Sequence, residues 1–246
     1  MSFKSLQIRY QTARSLPAPY AYFYTLTIDK IAGNAIQVDL AITYPDRDDI
    51  DDDELIAEGY TRDDDYVWSG QLPRAWWESL SNLVGKTRLQ PINEDELDED
   101  DDFWDITIDT DNGNKTQGKP AKADDWQYLM QELIQASYEV VGRERPFELT
   151  FLTISGQQGI QEMRMMASFA ERTVKITSVE NRRDHTKLLP WSTLQHVMGQ
   201  VYNHDYDPDD ALPKRPKQEG QWLNLGTEEW HEISDYRALV KLLKGL

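Results

Sequence analysis

Apolar and polar residues along this chain alternate in two rhythms, one of period two and one near 3.6. FYTLTIDKIAGNAIQVDLAITY (23–44) alternates on both sides of Gly33-Asn34, the pattern of two half-buried strands joined by a turn. FELTFLTISGQQGIQEMRMMAS (147–168) does the same around Gln157-Gln158-Gly159. YVW (66–68), WDITI (104–108) and WLNLG (222–226) read as further short strands. LPRAWWESLSNLV (72–84) and LPWSTLQHVMGQV (189–201) are helical, with apolar sets Trp77, Leu80, Val84 and Leu194, Val197, Val201 at i, i+3, i+7. The proline opening each suits a first helical turn, where its missing N–H has no helical partner. DWQYLMQELI (125–134) and DYRALVKLLK (235–244) predict two more helices, with Leu129 and Leu133 opposite Leu239 and Leu243.

These blocks occur twice in one order. The hairpins match at an offset of 124, the first helices at 117, the short strands at 118 and the last helices at 110. Slowly drifting offsets are the mark of duplication followed by loop-length change. The expected fold is α+β: two tandem repeats of β-hairpin–helix–strand–helix, forming antiparallel sheets with helices on one face. Residues 1–142 form the first repeat with an N-terminal extension, and 147–246 the second. Gly142-Arg143-Glu144-Arg145-Pro146 is the linker.

Composition supports a folded chain. Of 246 residues, 39% are apolar and 11% aromatic, including eight Trp, so a core can be filled despite a mean hydropathy of −0.70. The absence of cysteine excludes disulfides, thiol nucleophiles and cysteine-bound metal centres. No signal-peptide core and no stretch of about 20 apolar residues is found, so a soluble, cytoplasmic protein is expected.

Charge changes the picture more. Residues 1–142 carry 12 Lys/Arg against 29 Asp/Glu, whereas 143–246 carry 14 against 15. Such a first half disfavours direct nucleic-acid binding and anionic membranes. The excess lies in runs: DRDDIDDDE (46–54), DDD (63–65) and EDELDEDDD (94–102), the last with eight carboxylates in nine residues. Runs of this kind ordinarily form solvated, mobile loops.

Chemistry-bearing motifs are tested in turn. GNKTQGKP (113–120) has the glycines and lysine of a phosphate loop but puts Pro120 where a magnesium-ligating hydroxyl belongs, so Asp111-Asn112-Gly113 reads as a hairpin turn. No acidic run has EF-hand spacing, because windows from Asp46, Asp109 and Asp205 lack the required ligands or glycine. His204, Asp205 and Asp207 are close in sequence without a metal-site spacing. No nucleophile elbow occurs, and no catalytic, cofactor or metal residue is assigned.

What remains points to binding. Trp77 sits on the apolar face of its helix, and Trp76, one position off, either packs under the YVW strand (66–68) or is partly exposed. An exposed Trp suits a partner anchor. Aligned through Trp104 and Trp222, Glu96-Leu97-Asp98-Glu99 stands opposite Lys214-Arg215-Pro216-Lys217, an acidic loop against a basic one. The expected role is that of a non-enzymatic interaction protein whose acidic loop docks a basic partner or another copy head to tail. The residues assigned to docking are Trp76, Glu94, Asp95, Glu96, Asp98, Glu99, Asp100, Phe103, Lys214, Arg215 and Lys217. The rival readings are a carboxylate- or metal-dependent hydrolase and an acidic mimic of nucleic acid.

Overall fold

A computed structural model of the protein describes residues 3–93, 95, 97–157, 159–180 and 183–246, without the side chains of Glu180 and Arg183. The chain divides into two compact units, Met1–Ser137 and Tyr138–Leu246. Among the described residues it is a mixed α+β protein with two antiparallel sheets and five α-helices. None of these helices is long and apolar enough to cross a membrane.

The first unit runs β1 (Phe3–Gln11), β2 (Phe23–Lys30), β3 (Ile36–Thr43), α1 (Asp52–Ala57), β4 (Tyr66–Leu72), α2 (Arg74–Lys86), β5 (Leu89–Gln90), β6 (Phe103–Thr110), β7 (Lys115–Pro120) and α3 (Asp124–Val140). The strands form one sheet in the order β4-β3-β2-β1-β6-β7-β5. The first residues are therefore not an appendage. FKSLQIRYQ is a strand inside the sheet, paired on one side with β2 and on the other with β6, and it buries Phe3, Leu6, Ile8 and Tyr10. Its period-two burial was present in the sequence, but the absence of a nearby hairpin partner concealed it.

Leu26 and Ile28 of β2, Val38 and Leu40 of β3, and Ile106 and Ile108 of β6 share this apolar face. α2 packs on β3 and buries Trp76, Leu80 and Val84 at i, i+4, i+8. The helical stripe is thus rotated by one residue from the expected one: Trp76 is 0% exposed, while Trp77 is half-buried beneath the Lys30 ammonium, 4.8 Å from its ring centroid. Trp76 is a core residue and offers no exposed anchor. α3 buries Trp126, Leu129, Met130 and Leu133, and the Trp126 indole N–H donates to Thr87 Oγ1 (2.9 Å) at the end of α2.

The second unit contains β8 (Phe147–Ser155), β9 (Gly159–Ser168), β10 (Thr173–Glu180), β11 (Arg183–Leu189), α4 (Trp191–Val201), β12 (Gly220–Asn224), β13 (His231–Glu232) and α5 (Arg237–Lys244). Its sheet order is β11-β10-β9-β8-β12-β13. Leu149, Phe151, Met163, Met165, Val174 and Ile176 are buried along the sheet, with Leu194, Val197, Val201, Leu239 and Leu243 from α4 and α5.

The residue-level match of the hairpins does not survive. At an offset of 124 the pairing itself coincides, since Phe23↔Thr43 corresponds to Phe147↔Ala167. The faces do not: β3 buries Val38, Leu40 and Ile42, whereas β9 buries Met163, Met165 and Ala167, positions equivalent to Asp39, Ala41 and Thr43. Side chains alternate along a strand, so a mismatch of one residue exchanges inside for outside. The other blocks agree better, with Trp104 and Trp222, Leu80 and Val197, and Leu133 and Leu243 all buried.

Candidate docking surface

Sheet register brings the acidic segments together. Gln11 pairs with Phe23 and with Phe103, Phe23 pairs with Thr43, and Ile42 pairs with Tyr66. The connections 12–22, 44–65 and 91–102 therefore all leave the same end of the first sheet. Residues 44–65 hold eleven carboxylates and residues 94–102 hold eight. Runs separated by some thirty residues in sequence become one acidic end.

The described residues of these runs are bonded to the rest of the unit. In the 44–65 loop, Arg47 is 2% exposed and lies over the rings of Tyr44 (4.1 Å) and Tyr60 (4.8 Å). Its guanidinium donates to the Pro19 carbonyl through Nη2 (2.9 Å), to the Thr61 carbonyl (2.9 Å) and to the Asp64 carboxylate. Burial pushes the Asp64 carboxyl up, but the Thr61 N–H and hydroxyl and the Arg47 guanidinium outweigh it, so its pKa lies below the usual value. Arg62 gathers the outer part of the loop, donating to the carbonyls of Asp48 (2.8 Å) and Ile50 (2.6 Å) and to Asp52 (2.6 Å). Asp51 caps α1 by accepting from the Asp53 N–H (3.0 Å). Two arginines thus turn a self-repelling run into a shaped loop.

The second run is pinned by its last member. Asp102 accepts from the Tyr10 hydroxyl (2.8 Å) and the Ala13 N–H (2.8 Å). Burial first, then the neighbouring Tyr22 and the bond to Asp102, raise the Tyr10 pKa, so this phenol stays protonated and remains the donor. Ser15 N–H donates to the Glu99 carbonyl (2.9 Å) and Arg14 to the Leu97 carbonyl (2.9 Å). Segment 12–22 is thereby bonded to both acidic loops, to one through Ala13–Ser15 and to the other through Pro19. Tyr20, 41% exposed, donates to Glu58 (2.8 Å), and Phe23 is 38% exposed. They are the exposed aromatic groups of this end.

Of the residues singled out from sequence, Asp95, Asp98, Glu99 and Asp100 are exposed on the acidic end, and Glu94 and Glu96 lie outside the described residues. Phe103 is half-buried at the start of β6, with the Arg9 guanidinium 5.7 Å from its ring centroid. Lys214 and Lys217 are exposed in the second unit. Arg215 is not at liberty to dock: it pairs with Glu162, a buried carboxylate on β9 that also receives Arg164. A carboxylate removed from water needs such partners, and the sequence offered no sign that one would face this loop. Sequence reasoning also passed over Arg47, Arg62, Tyr10 and Asp102. The available signal was the presence of single arginines inside carboxylate runs.

Glu162 makes a testable pH dependence. Burial raises its pKa, and Arg215 and Arg164 outweigh that effect, leaving the net value below the ordinary 4.5. A depressed carboxyl contributes stability that is present above its unfolded pKa and lost as pH falls through its folded one. Arg215→Ala should lower the melting temperature by about 2–4 °C at neutral pH, and the gap to wild type should close on acidification below the ordinary glutamate range. A gap independent of pH would show that Arg215 acts through its other contact, the Trp230 ring whose centroid lies 6.0 Å from the guanidinium.

A general acid needs a carboxyl with a raised pKa, whereas Asp64 in the first unit and Glu162 in the second are both lowered. Among the described residues, no group of three or more His, Asp or Glu converges as a metal site. GNKTQGKP folds as the β6–β7 hairpin, with Gly113 at φ 77° and the next helix starting at Asp124. No protein-family model matches the chain, and no curated protein or solved structure matches it.

Proposed function

We propose that this is a non-enzymatic, cytoplasmic interaction protein whose acidic end docks a basic protein partner. The observation that carries the reading is the gathering of two acidic runs at one end of a sheet, held there by Arg47, Arg62 and Asp102. Ordered carboxylates steer a cationic partner without the entropy cost of freezing a mobile loop on binding. Tyr20 and Phe23 supply apolar contact beside them. The pinning also favours the second reading, in which this end stands in for nucleic acid on a DNA-binding protein. The strand orders β4-β3-β2-β1-β6-β7 and β11-β10-β9-β8-β12-β13 correspond one for one, which supports a further inference: the two units are diverged copies of one plan, with β1 opposite β8 and β5 added in the first.

The test replaces Glu94, Asp95, Glu96, Asp98, Glu99, Asp100 and Asp101 with Ser or Asn and keeps Asp102. The variant should melt near wild type, because exposed pairs contribute only about 0–1 kcal/mol each. Immobilised wild-type protein should retain basic proteins from its native lysate that elute with added salt, and the variant should lose that retention. Unchanged retention by the variant would refute the docking role of this loop. Displacement of the retained proteins by duplex DNA selects the second reading, and failure of DNA to displace them selects the first. Asp102→Ala, by contrast, strands the buried Tyr10 hydroxyl and should cost about 1–3 kcal/mol.

A further inference from the structure

β5 ends after two residues. Leu89 and Gln90 pair with Pro120 and Lys119 of β7, and Pro91, which has no N–H to continue the ladder, follows. The pairing is close: a Cβ on Gly118 would overlap the Gln90 carbonyl oxygen, so only glycine admits the β5 backbone there. Because β5 stops, Lys115–Gln117 of β7 pair with β6 on one side and have no strand on the other among the described residues. Antiparallel ladders alternate in which residues point to a given neighbour, and continuing the β5 register directs the Gln117 N–H and C=O to this vacant side.

A hollow of about 860 Å³ lies beside this interruption. It opens to solvent along the hairpin, where Asn112, Asn114 and Thr116 are exposed, and its volume falls in the range of small-molecule sites, about 300–1,000 Å³. Its apolar lining comes from separate regular elements and their ends: Val84 of α2, Leu89 of β5 and Ile108 of β6. Its polar lining comes from the β6–β7 hairpin, where the side chains of Asn112, Asn114 and Thr116 form no hydrogen bond among the described residues. These amides and hydroxyl offer both donors and acceptors. The single ionisable lining residue, Asp111, lies 3.7 Å from the Lys30 ammonium.

We propose that this hollow is a binding site for an uncharged small molecule with an apolar body and a hydrogen-bonding end. The body lies on Val84, Leu89 and Ile108, and the polar end meets Asn112, Asn114, Thr116 and the open backbone of Gln117. A neutral ligand is selected because a charged one would lose its hydration without gaining an uncommitted countercharge in the lining. The site is separate from the acidic docking surface and does not depend on it.

The probe is phenylnaphthylamine, neutral and fluorescent, compared with anilinonaphthalene sulfonate, which adds a sulfonate to the same ring skeleton. The neutral probe should saturate a single site on the full chain, and the sulfonate should bind about tenfold or more weakly. Thr116→Trp, an aromatic at an exposed strand position, should fill the entrance and weaken the neutral probe by about tenfold or more. Circular dichroism checks that this variant folds. In the wild-type protein, amide shifts on titration should concentrate at Thr87, Leu89 and 110–117, a readout that needs no variant. Absence of saturable binding, or shifts confined to other residues, would overturn the site. Retained binding in folded Thr116→Trp would do so as well, and equal binding of the sulfonate would overturn the neutral ligand class.

Discussion

Arg47→Ala will release the 44–65 loop and destabilise the first unit by roughly 2–3 kcal/mol. The side chain is almost wholly buried, and it donates to two backbone carbonyls that come from segments far apart, at Pro19 and Thr61. Its removal leaves both acceptors short of a donor and opens the space between Tyr44 and Tyr60. The ion pair with Asp64 adds less, because Asp64 is 33% exposed and water screens it. Repulsion among the eleven carboxylates of 44–65 then acts without its central cation. Arg47→Lys should recover little, since an ammonium cannot span three acceptors in the plane of a guanidinium. Urea denaturation, near-ultraviolet circular dichroism of the tyrosines and proteolysis within 44–65 report the change. Wild-type stability together with a protease-resistant loop in Arg47→Ala would mean that the acidic run holds its shape without the arginine. A basic protein that docks on the acidic end, as proposed, should also bind the Arg47 variants more weakly, with a shallower salt dependence, because the carboxylates no longer present a fixed surface.

Trp76→Ala will be the most damaging single truncation on α2. A fully buried tryptophan replaced by alanine costs about 3–5 kcal/mol through lost burial and the cavity left behind. Trp77→Ala should cost much less, about 1 kcal/mol, since this ring is half-buried and its chief visible partner is the Lys30 ammonium. The comparison separates core from interface. Thermal melts should rank Trp76→Ala far below Trp77→Ala and wild type, while binding of the proposed basic partner to whatever fraction remains folded stays unchanged. If Trp76→Ala instead melts normally and loses the partner, the indole is an exposed anchor and the α2 stripe is rotated back to Trp77, Leu80 and Val84.

That one-residue rotation shows where sequence reading was sound and where it was not. Leu80 and Val84 were identified correctly, because Leu80 is i+4 from Trp76 and i+3 from Trp77, and Val84 is i+4 from Leu80 in either case. Adjacent tryptophans carry no such internal evidence, and the choice between them is made by β3 beneath the helix. The hairpin at 111–113 was legible for a local reason: Asp-Asn-Gly supplies a turn with a residue at positive φ, and Gly113 adopts it. The acidic runs were legible as charge, and their bonds to the rest of the unit were not. Their order depends on Arg47 reaching Pro19 and on Asp102 reaching Tyr10, contacts across 28 and 92 residues.

Local patterns were sufficient for the α+β class, the main helices and the concentration of carboxylates in the first half, since periodicity and charge are properties of neighbouring residues. They were insufficient for β1, whose partners are a strand twelve residues ahead and another beginning at Phe103. They were equally insufficient for the faces of β8 and β9, where a shift of a single residue exchanges buried for exposed without altering the alternation itself. The acidic end, the engagement of Arg215 by Glu162 and the hollow beside β5 arise from strand order and register. These are long-range choices, made by the packing of whole faces against one another, and no short window of sequence contains both partners.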